Sequence, residues 1–187
     1  MPQSTAADHP IQDRTISMAK ANLLGTLAMI PLIALIVLPF GLLHGWRAAA
    51  GSLVWLGGHL LGFVVIFVAS VILHEGLHAL GWLVFGRVPW SEIRFGIKTA
   101  TPYAHTSAPM QVGAYRLSAA LPGLVLGFMP GVVSWFTGNG LLMGYGALMF
   151  SSAAGDALIL WLIRDLQAGQ LVQDHPTEAG CQVLSSG

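Results

Sequence analysis

Long apolar segments separated by short polar stretches make up most of the chain. Because the core of a bilayer takes about 20 apolar residues per helix, each of four segments is long enough to span it. These segments are Leu23–Leu43, Leu53–Phe85, Leu117–Phe136 and Leu141–Ile163. The second is too long for one simple crossing. The pattern predicts a mainly α-helical, polytopic membrane protein with about four transmembrane helices.

The one long polar loop follows the second apolar segment and contains two short strand-like stretches. In the first, apolar side chains occupy every second position, at Ile93, Phe95 and Ile97, and this period of two is typical of a strand. The second stretch, residues 99–106, is a weaker candidate because a proline interrupts it. We expect a small β-hairpin over residues 92–106, at the cytoplasmic edge of the membrane.

Polar segments rich in glycine, serine, glutamine and proline form both ends of the chain. We expect the N-terminal tail, residues 1–20, and the C-terminal tail, residues 167–187, to be mobile. Residues 21–166 then form one membrane-embedded domain. About twenty polar residues precede the first apolar segment, which is not typical of a signal peptide, so we interpret that segment as a retained helix.

The composition supports a membrane protein and argues against several other classes. Only 9% of the 187 residues are charged, whereas soluble domains carry roughly 25%. The formal net charge is zero, so no basic surface indicates a nucleic-acid partner. The single cysteine, Cys181, provides neither a disulfide framework nor a cysteine-based metal site.

Lysine and arginine are distributed unevenly among the polar segments. If the four apolar segments cross the membrane in turn, seven of these residues lie on the side of the N-terminus and only Arg47 lies on the other. Cytoplasmic loops of membrane proteins carry the excess of positive charge. We therefore expect an integral membrane protein with both termini in the cytoplasm.

Ionisable residues interrupt the second apolar segment at His74, Glu75 and His78, in the pattern His-Glu-X-X-His. Two histidines four residues apart lie on one face of a helix and can bind one metal ion, and the glutamate between them can activate a water on that ion. A charge at bilayer depth costs about 2.5–3.5 kcal/mol, so such groups usually serve a function. The motif predicts a zinc site, with Glu75 as general base.

The fourth apolar segment contains the predicted third ligand, Asp156. It is the only acidic residue besides Glu75 within the four segments, and it lies at a depth comparable to that of the histidines. Since a catalytic zinc ion keeps three protein ligands and one water, His74, His78 and Asp156 form the simplest complete set. Two alternatives stay open: a structural hydrogen bond for Asp156, and His105 of the loop as a rival ligand.

Several motifs of the chain resemble those of a family of bacterial membrane proteins classed as zincin peptidases. The shared elements are the His74-Glu75-x-x-His78 helix, Arg94-Phe95-Gly96, Tyr103-Ala104-His105, Pro109-Met110, Tyr115-Arg116 and Gly155-Asp156. The resemblance covers about residues 60–166, and the chain is more distantly similar to site-2 proteases, which are intramembrane metalloproteases. It implies a zinc metalloprotease of the bacterial inner membrane, with His74, His78 and Asp156 as ligands and Glu75 as base.

The resemblance also implies partners beyond the lipid bilayer. In site-2 proteases, β-structure beside the site receives an unwound substrate segment as an added strand, and residues 92–106 could receive a membrane-protein or peptide substrate in this way. Two other functions stay open. The chain could be a non-catalytic subunit or scaffold that binds partner subunits in a larger membrane complex. It could also be a metal-handling membrane protein, and such a protein would not need Glu75.

Overall fold

The computed structural model describes residues 10–98 and 101–184, and most of these residues are helical, as predicted. The helices are α1 (Met18–His44), α2 (Trp46–Gly58), α3 (Leu60–Val84), α4 (Val112–Pro122), α5 (Met129–Thr137), α6 (Gly140–Ser152) and α7 (Ala154–Leu162). The strands are β1 (Pro10–Ile16), β2 (Ile93–Lys98), β3 (Thr101–Thr106), β4 (Met110–Gln111), β5 (Leu171–Asp174) and β6 (Ala179–Leu184). A 3-10 turn, Trp90–Glu92, precedes β2, and a π-helical segment, Gly123–Phe128, joins α4 to α5.

Three helical stretches of the described residues are long and apolar enough to cross a membrane. They are α1, α3 and the continuous helix Val112–Thr137, and the pair α6–α7, bent by 44°, would make a fourth if it forms one span. Large apolar side chains on α1 and α3 face outwards, with Leu42 78% and Leu61 80% exposed, as expected for helices that contact lipid. The predicted number of four spans stays a prediction.

The second predicted segment, Leu53–Phe85, consists of parts of two helices. The chain leaves helical geometry at His59, between α2 and α3. Two glycines, Gly57 and Gly58, directly precede this break, and glycine disfavours a helix interior because it loses the most conformational entropy on folding. The break gives α3 a length of 25 residues, which suits a single crossing.

The predicted hairpin is present as an antiparallel pair of strands. β2 and β3 pair from Ile93 opposite Thr106 to Lys98 opposite Thr101. The first two residues of the second predicted strand, at positions 99 and 100, lie outside the described residues. Where the hairpin lies relative to a membrane stays a prediction.

The two ends of the chain contribute to a second sheet, and the expectation that both ends are mobile is wrong for these residues. The strand order is β1-β6-β5-β4, with antiparallel pairing throughout. The physical reason is burial: Val172 and Cys181 are fully buried and Val183 is 1% exposed. A few apolar side chains on one face are enough to fix a strand whose other positions are polar.

A cluster of buried residues joins this terminal sheet to one end of the helices. It contains Ala79 and Trp82 of α3, Tyr115 of α4, Ile163 after α7, and Val172 of β5. The C-terminal ends of α3 and α7 and the N-terminal end of α4 therefore meet beside the sheet. Because β1 pairs with β6, both ends of the described chain lie at this end of the molecule.

Candidate metal centre

His74 and His78 lie one turn apart on the face of α3 that packs inside the molecule. Both residues are only 8% exposed, whereas the neighbouring Ile72 and Leu73 are 61% and 53% exposed. Side chains four residues apart in a helix lie one above the other, and the centroids of the two imidazole rings are 4.9 Å apart. The helix thus directs its two histidines towards the same point.

Helix α7 brings the carboxylate of Asp156 to this pair. Its Oδ2 lies 3.1 Å from Nε2 of His74, and its Oδ1 lies 3.2 Å from Nε2 of His78. Asp156 falls in the first turn of α7, just after the bend that separates α7 from α6. One ligand atom from each of the three residues lies within 4.8 Å of the others, so one ion could contact all three.

Helix α4 orients the ring of His78. Its Nδ1 lies 3.0 Å from the carbonyl oxygen of Ser118. Since a carbonyl oxygen only accepts hydrogen bonds, Nδ1 is the donor. In the neutral ring, Nε2 then carries no proton, and its lone pair points towards Asp156 and is available to a metal ion. Metal-binding histidines are typically held in this way. The close approach of the helices requires Gly81, because a Cβ there would lie 2.7 Å from Cα of Ser118.

The donor set fits a catalytic zinc ion. Two imidazole nitrogens and one carboxylate oxygen are ligands that zinc uses in sites with an open fourth position. Within the part of the chain that the structure describes, this group of three contains no fourth histidine, cysteine, aspartate or glutamate. A zinc ion held by these three residues would keep its fourth position for a water or a substrate atom.

Glu75 makes a contact that the three candidate ligands do not share. Its Oε2 accepts a hydrogen bond of 2.6 Å from the backbone N–H of Ala104 in β3. The residue follows His74 directly in α3, yet its carboxylate is held by the hairpin. This bond fixes the predicted general base between α3 and β3.

Two cavities meet at His74 and Glu75. The first has a volume of about 450 Å³, and α3 lines it with the apolar side chains of Phe67, Val68 and Val71. The second has a volume of about 250 Å³, and its lining includes all three candidate ligands together with Asp174 of β5. The site is therefore reached through one apolar and one more polar space.

The rival ligand, His105, has a different partner in the structure. Its Nδ1 lies 3.3 Å from Oδ2 of Asp174. The hydrogen bond to this carboxylate raises the pKa of His105 above its ordinary value of 6.5, although partial burial acts in the opposite direction. The group of residues that could hold a metal does not include His105.

Asp174 is a residue of the site that the sequence analysis did not identify. Its Oδ1 accepts a hydrogen bond of 2.7 Å from the hydroxyl of Tyr115, and its Oδ2 accepts one of 3.0 Å from the N–H of Thr106. Asp174 lines the same cavity as the candidate ligands. No local signal marks it, because a carboxylate in a polar tail is usually solvated.

Comparison with known proteins agrees with this geometry. Residues 67–171, more than half of the chain, match the model of the family described as "Putative zincin peptidase" (DUF3267). The comparisons with curated proteins and with solved structures gave no match, and the more distant similarity to site-2 proteases stays a prediction. The matched segment contains the His-Glu-X-X-His motif and Asp156 and ends before Asp174. The chain therefore belongs to this family of zincin peptidases.

Proposed function

We propose that the protein is a membrane-embedded zinc metallopeptidase that hydrolyses peptide bonds in or near the bilayer. The observation that carries this proposal is the group formed by His74, His78 and Asp156, whose ligand atoms lie within 4.8 Å of one another. The first two of these residues belong to a helix that is apolar enough to cross a membrane. Membership in the zincin peptidase family supports both the zinc ion and the hydrolytic activity.

His74, His78 and Asp156 are the residues that would hold the ion. When bound, zinc supplies a Lewis acid that polarises a carbonyl group and lowers the pKa of a water molecule towards ~7. The Ser118 carbonyl keeps the His78 ring in the orientation and tautomer that a ligand requires. Burial of the histidines, at 8% exposure each, excludes most water and strengthens electrostatic interactions within the site.

Glu75 is the general base of the proposed reaction. Its carboxylate would accept a proton from water and deliver it to the leaving amine, a role that typically contributes 10²–10⁴-fold to a rate. In the structure, the N–H of Ala104 donates a hydrogen bond to Oε2 of Glu75. A substrate strand added along β3 would offer its own carbonyl oxygen to this N–H, and Glu75 would then be free to act on water.

The substrate in this proposal is a membrane protein or peptide with an extended segment beside the hairpin. Strand addition to residues 92–106 would provide affinity through main-chain hydrogen bonds. The apolar cavity lined by Phe67, Val68 and Val71 suits the apolar side chains of such a segment. Pro102 of β3 lines the same cavity, which supports entry of the segment next to that strand.

The proposed location is the bacterial inner membrane, with both termini in the cytoplasm. Pairing of β1 with β6 supports a common side for the two ends of the chain. The excess of lysine and arginine predicted for this side supports the cytoplasm, because positive charge accumulates in cytoplasmic loops.

The first test is the zinc content and activity of protein purified in detergent. We would compare the wild type with Glu75→Gln, Asp156→Ala and a control, Asp165→Ala, whose aspartate is 54% exposed. We expect about one zinc per chain in all but Asp156→Ala. Fluorescein-labelled casein, an unfolded polypeptide, should be cleaved by the wild type and the control, whereas Glu75→Gln should lose at least about 100-fold in rate.

The two alternative functions predict other results. Absence of zinc from the wild type, even after zinc is supplied, would overturn the peptidase proposal and favour a non-catalytic subunit or scaffold. Zinc binding without cleavage, or cleavage that does not depend on Glu75, would also contradict the proposed reaction. Zinc binding without cleavage would favour a metal-handling protein.

A further inference from the structure

We propose that Asp174, in the C-terminal strand β5, is a positioning residue that holds β3 in place so that the Ala104 N–H lies at the Glu75 carboxylate. This inference rests on the function proposed above, because it explains how the strand that binds Glu75, and that would receive the substrate, is placed. Asp174 lies beyond the segment 67–171 that matches the family. It therefore adds a residue from the C-terminal end of the chain to the site.

The carboxylate of Asp174 binds groups from two different elements. From β3 it accepts the N–H of Thr106 at 3.0 Å and contacts Nδ1 of His105 at 3.3 Å. From α4 it accepts the hydroxyl of Tyr115 at 2.7 Å. Its side chain is only 14% exposed, so these contacts replace most of its hydration. Asp174 thus ties the hairpin to α4.

The contacts of Asp174 and Glu75 fall on the same edge of β3. Ala104 and Thr106 are two residues apart, so their N–H groups point to the same side of the strand. His105 lies between them and is paired along the backbone with Arg94 of β2. Glu75 binds the first of these N–H groups and Asp174 binds the second. Two carboxylates, one from α3 and one from β5, therefore bind successive N–H groups on the edge of β3 that points away from β2.

The two contacts are close enough to depend on each other. Two residues of a strand span roughly 7 Å, so a shift of β3 at Thr106 would also move Ala104. Thr106 is fully buried, whereas Ile97 towards the other end of the hairpin is 76% exposed. The hairpin is therefore fixed mainly at the end where Asp174 binds. Misplacement of a reacting group by about 1 Å can cost ~10²-fold in rate.

The terminal sheet gives Asp174 a fixed position. Asp174 pairs with Cys181 of β6, and Cys181 and Val172 on the same sheet are fully buried. This support would let Asp174 keep β3 beside α3 when a substrate carbonyl replaces Glu75 at the Ala104 N–H. The strand would remain in place while its partner changes.

The test compares Asp174→Asn with Glu178→Gln, which also removes one carboxylate but at an exposed position four residues further along. Asparagine keeps the shape of the side chain but has one acceptor oxygen in place of two. We expect amide hydrogen exchange of the peptide covering residues 101–106 to become at least about tenfold faster in Asp174→Asn. Zinc content should stay at the wild-type level. Glu178→Gln should match the wild type in both measurements.

Kinetics would separate positioning from a general loss of structure. With labelled casein, kcat/KM should fall at least about tenfold in Asp174→Asn, because β3 holds Glu75 in the free enzyme and would position the bound substrate strand. Asp174→Glu, which keeps the charge, should recover part of kcat/KM. Wild-type exchange over residues 101–106, or a wild-type kcat/KM, would overturn the proposal.

Two further outcomes are distinguishable. Faster exchange in α3 as well as in β3 would show a general loss of structure in Asp174→Asn and would overturn the specific role of Asp174. If the wild type binds no zinc, the proposed function fails, but exchange over residues 101–106 still reports whether Asp174 holds β3.

Discussion

Two parts of the molecule meet at the candidate site and hold it by different means. In the helical part, α3, α4 and α7 place His74, His78 and Asp156 through close helix packing and side-chain contacts. In the strand part, β3 and β5 act on Glu75 and the hairpin through backbone N–H groups that bind carboxylates. The group of candidate metal ligands therefore depends on packing between helices, whereas the predicted general base depends on the position of a strand.

This difference means that the two functions of the site can be disturbed separately. A change in the contact of α3 with α4 should alter metal affinity, because His78 is oriented across that contact. A change in the terminal sheet should alter the stability of the protein and the position of the hairpin, while the candidate metal ligands keep their places on the helices. The predictions below test this separation, from the largest expected effect to the smallest.

The largest effect is expected for Val172→Asp in β5. Val172 is fully buried and pairs with Met110 and Val183 in the terminal sheet. Loss of a buried valine costs about 1.5–3 kcal/mol, and an unpaired buried polar group costs a further 1–3 kcal/mol or so. The free energy of unfolding in detergent should fall by at least about 3 kcal/mol, as measured by thermal or chemical unfolding.

Thr177→Asp provides the control for this experiment, because it places the same charge in the exposed turn between β5 and β6. Its free energy of unfolding should stay within about 0.5 kcal/mol of the wild type. If Val172→Asp were equally stable, the terminal sheet would contribute little to the fold, and the strand part of the site would lack its support.

The helical part could be largely predicted from the sequence. Ionisable side chains are costly in apolar segments, so His74, Glu75 and His78 stand out, and Asp156 is the remaining acidic residue that such a segment contains. The fold brings the two histidines and Asp156 together. β2 could also be predicted, because the alternation of Ile93, Phe95 and Ile97 is a local pattern of the sequence.

The strand part could be predicted only where its pattern is local. β1 pairs with β6 across more than 150 residues of sequence, and no short pattern records such a pairing. Asp174 looks like an ordinary polar tail residue until β5 places it beside Thr106 and Tyr115. The Ala104 N–H could not be predicted at all, because every residue except proline carries such a group.

A smaller effect is expected for Gly81→Ala, which tests the helical part. A methyl group at Gly81 would lie 2.7 Å from Cα of Ser118, so α3 and α4 must separate and the bond from His78 to the Ser118 carbonyl should lengthen. Overpacking costs typically 1–3 kcal/mol, of which the better helix propensity of alanine offsets about 0.5–1 kcal/mol. Zinc affinity should fall about 10–100-fold, as for other lost outer-shell partners, in a competition titration with a chelator.

Gly62→Ala on the same helix is the matched control, because nothing lies within 4 Å of a Cβ at that position. It should keep its zinc affinity and gain stability slightly. If Gly81→Ala bound zinc as tightly as Gly62→Ala, the contact between α3 and α4 would not control the orientation of His78, and the separation of the two parts would be wrong on the helical side.

The smallest effect is expected from the pair formed by His105 and Asp174 in the strand part. Because Asp174 raises the pKa of His105 in the folded protein above its ordinary value of 6.5, folding is favoured by protonation of this histidine. The stabilisation is fully present below about pH 6.5 and is lost as pH rises through the raised value. Since His105 is partly exposed, solvent screening limits the contribution to less than about 1 kcal/mol.

A double-mutant cycle isolates this contribution from the other groups that titrate in the same range. The free energy of unfolding would be measured from pH 5.5 to pH 9 for the wild type, His105→Gln, Asp174→Asn and the double variant. The difference between wild type and His105→Gln should shrink as pH rises, and it should be nearly absent when Asp174 is already replaced. A pH-independent difference would mean that His105 contributes through packing alone, and Asp174 would then hold β3 through the Thr106 N–H and not through charge.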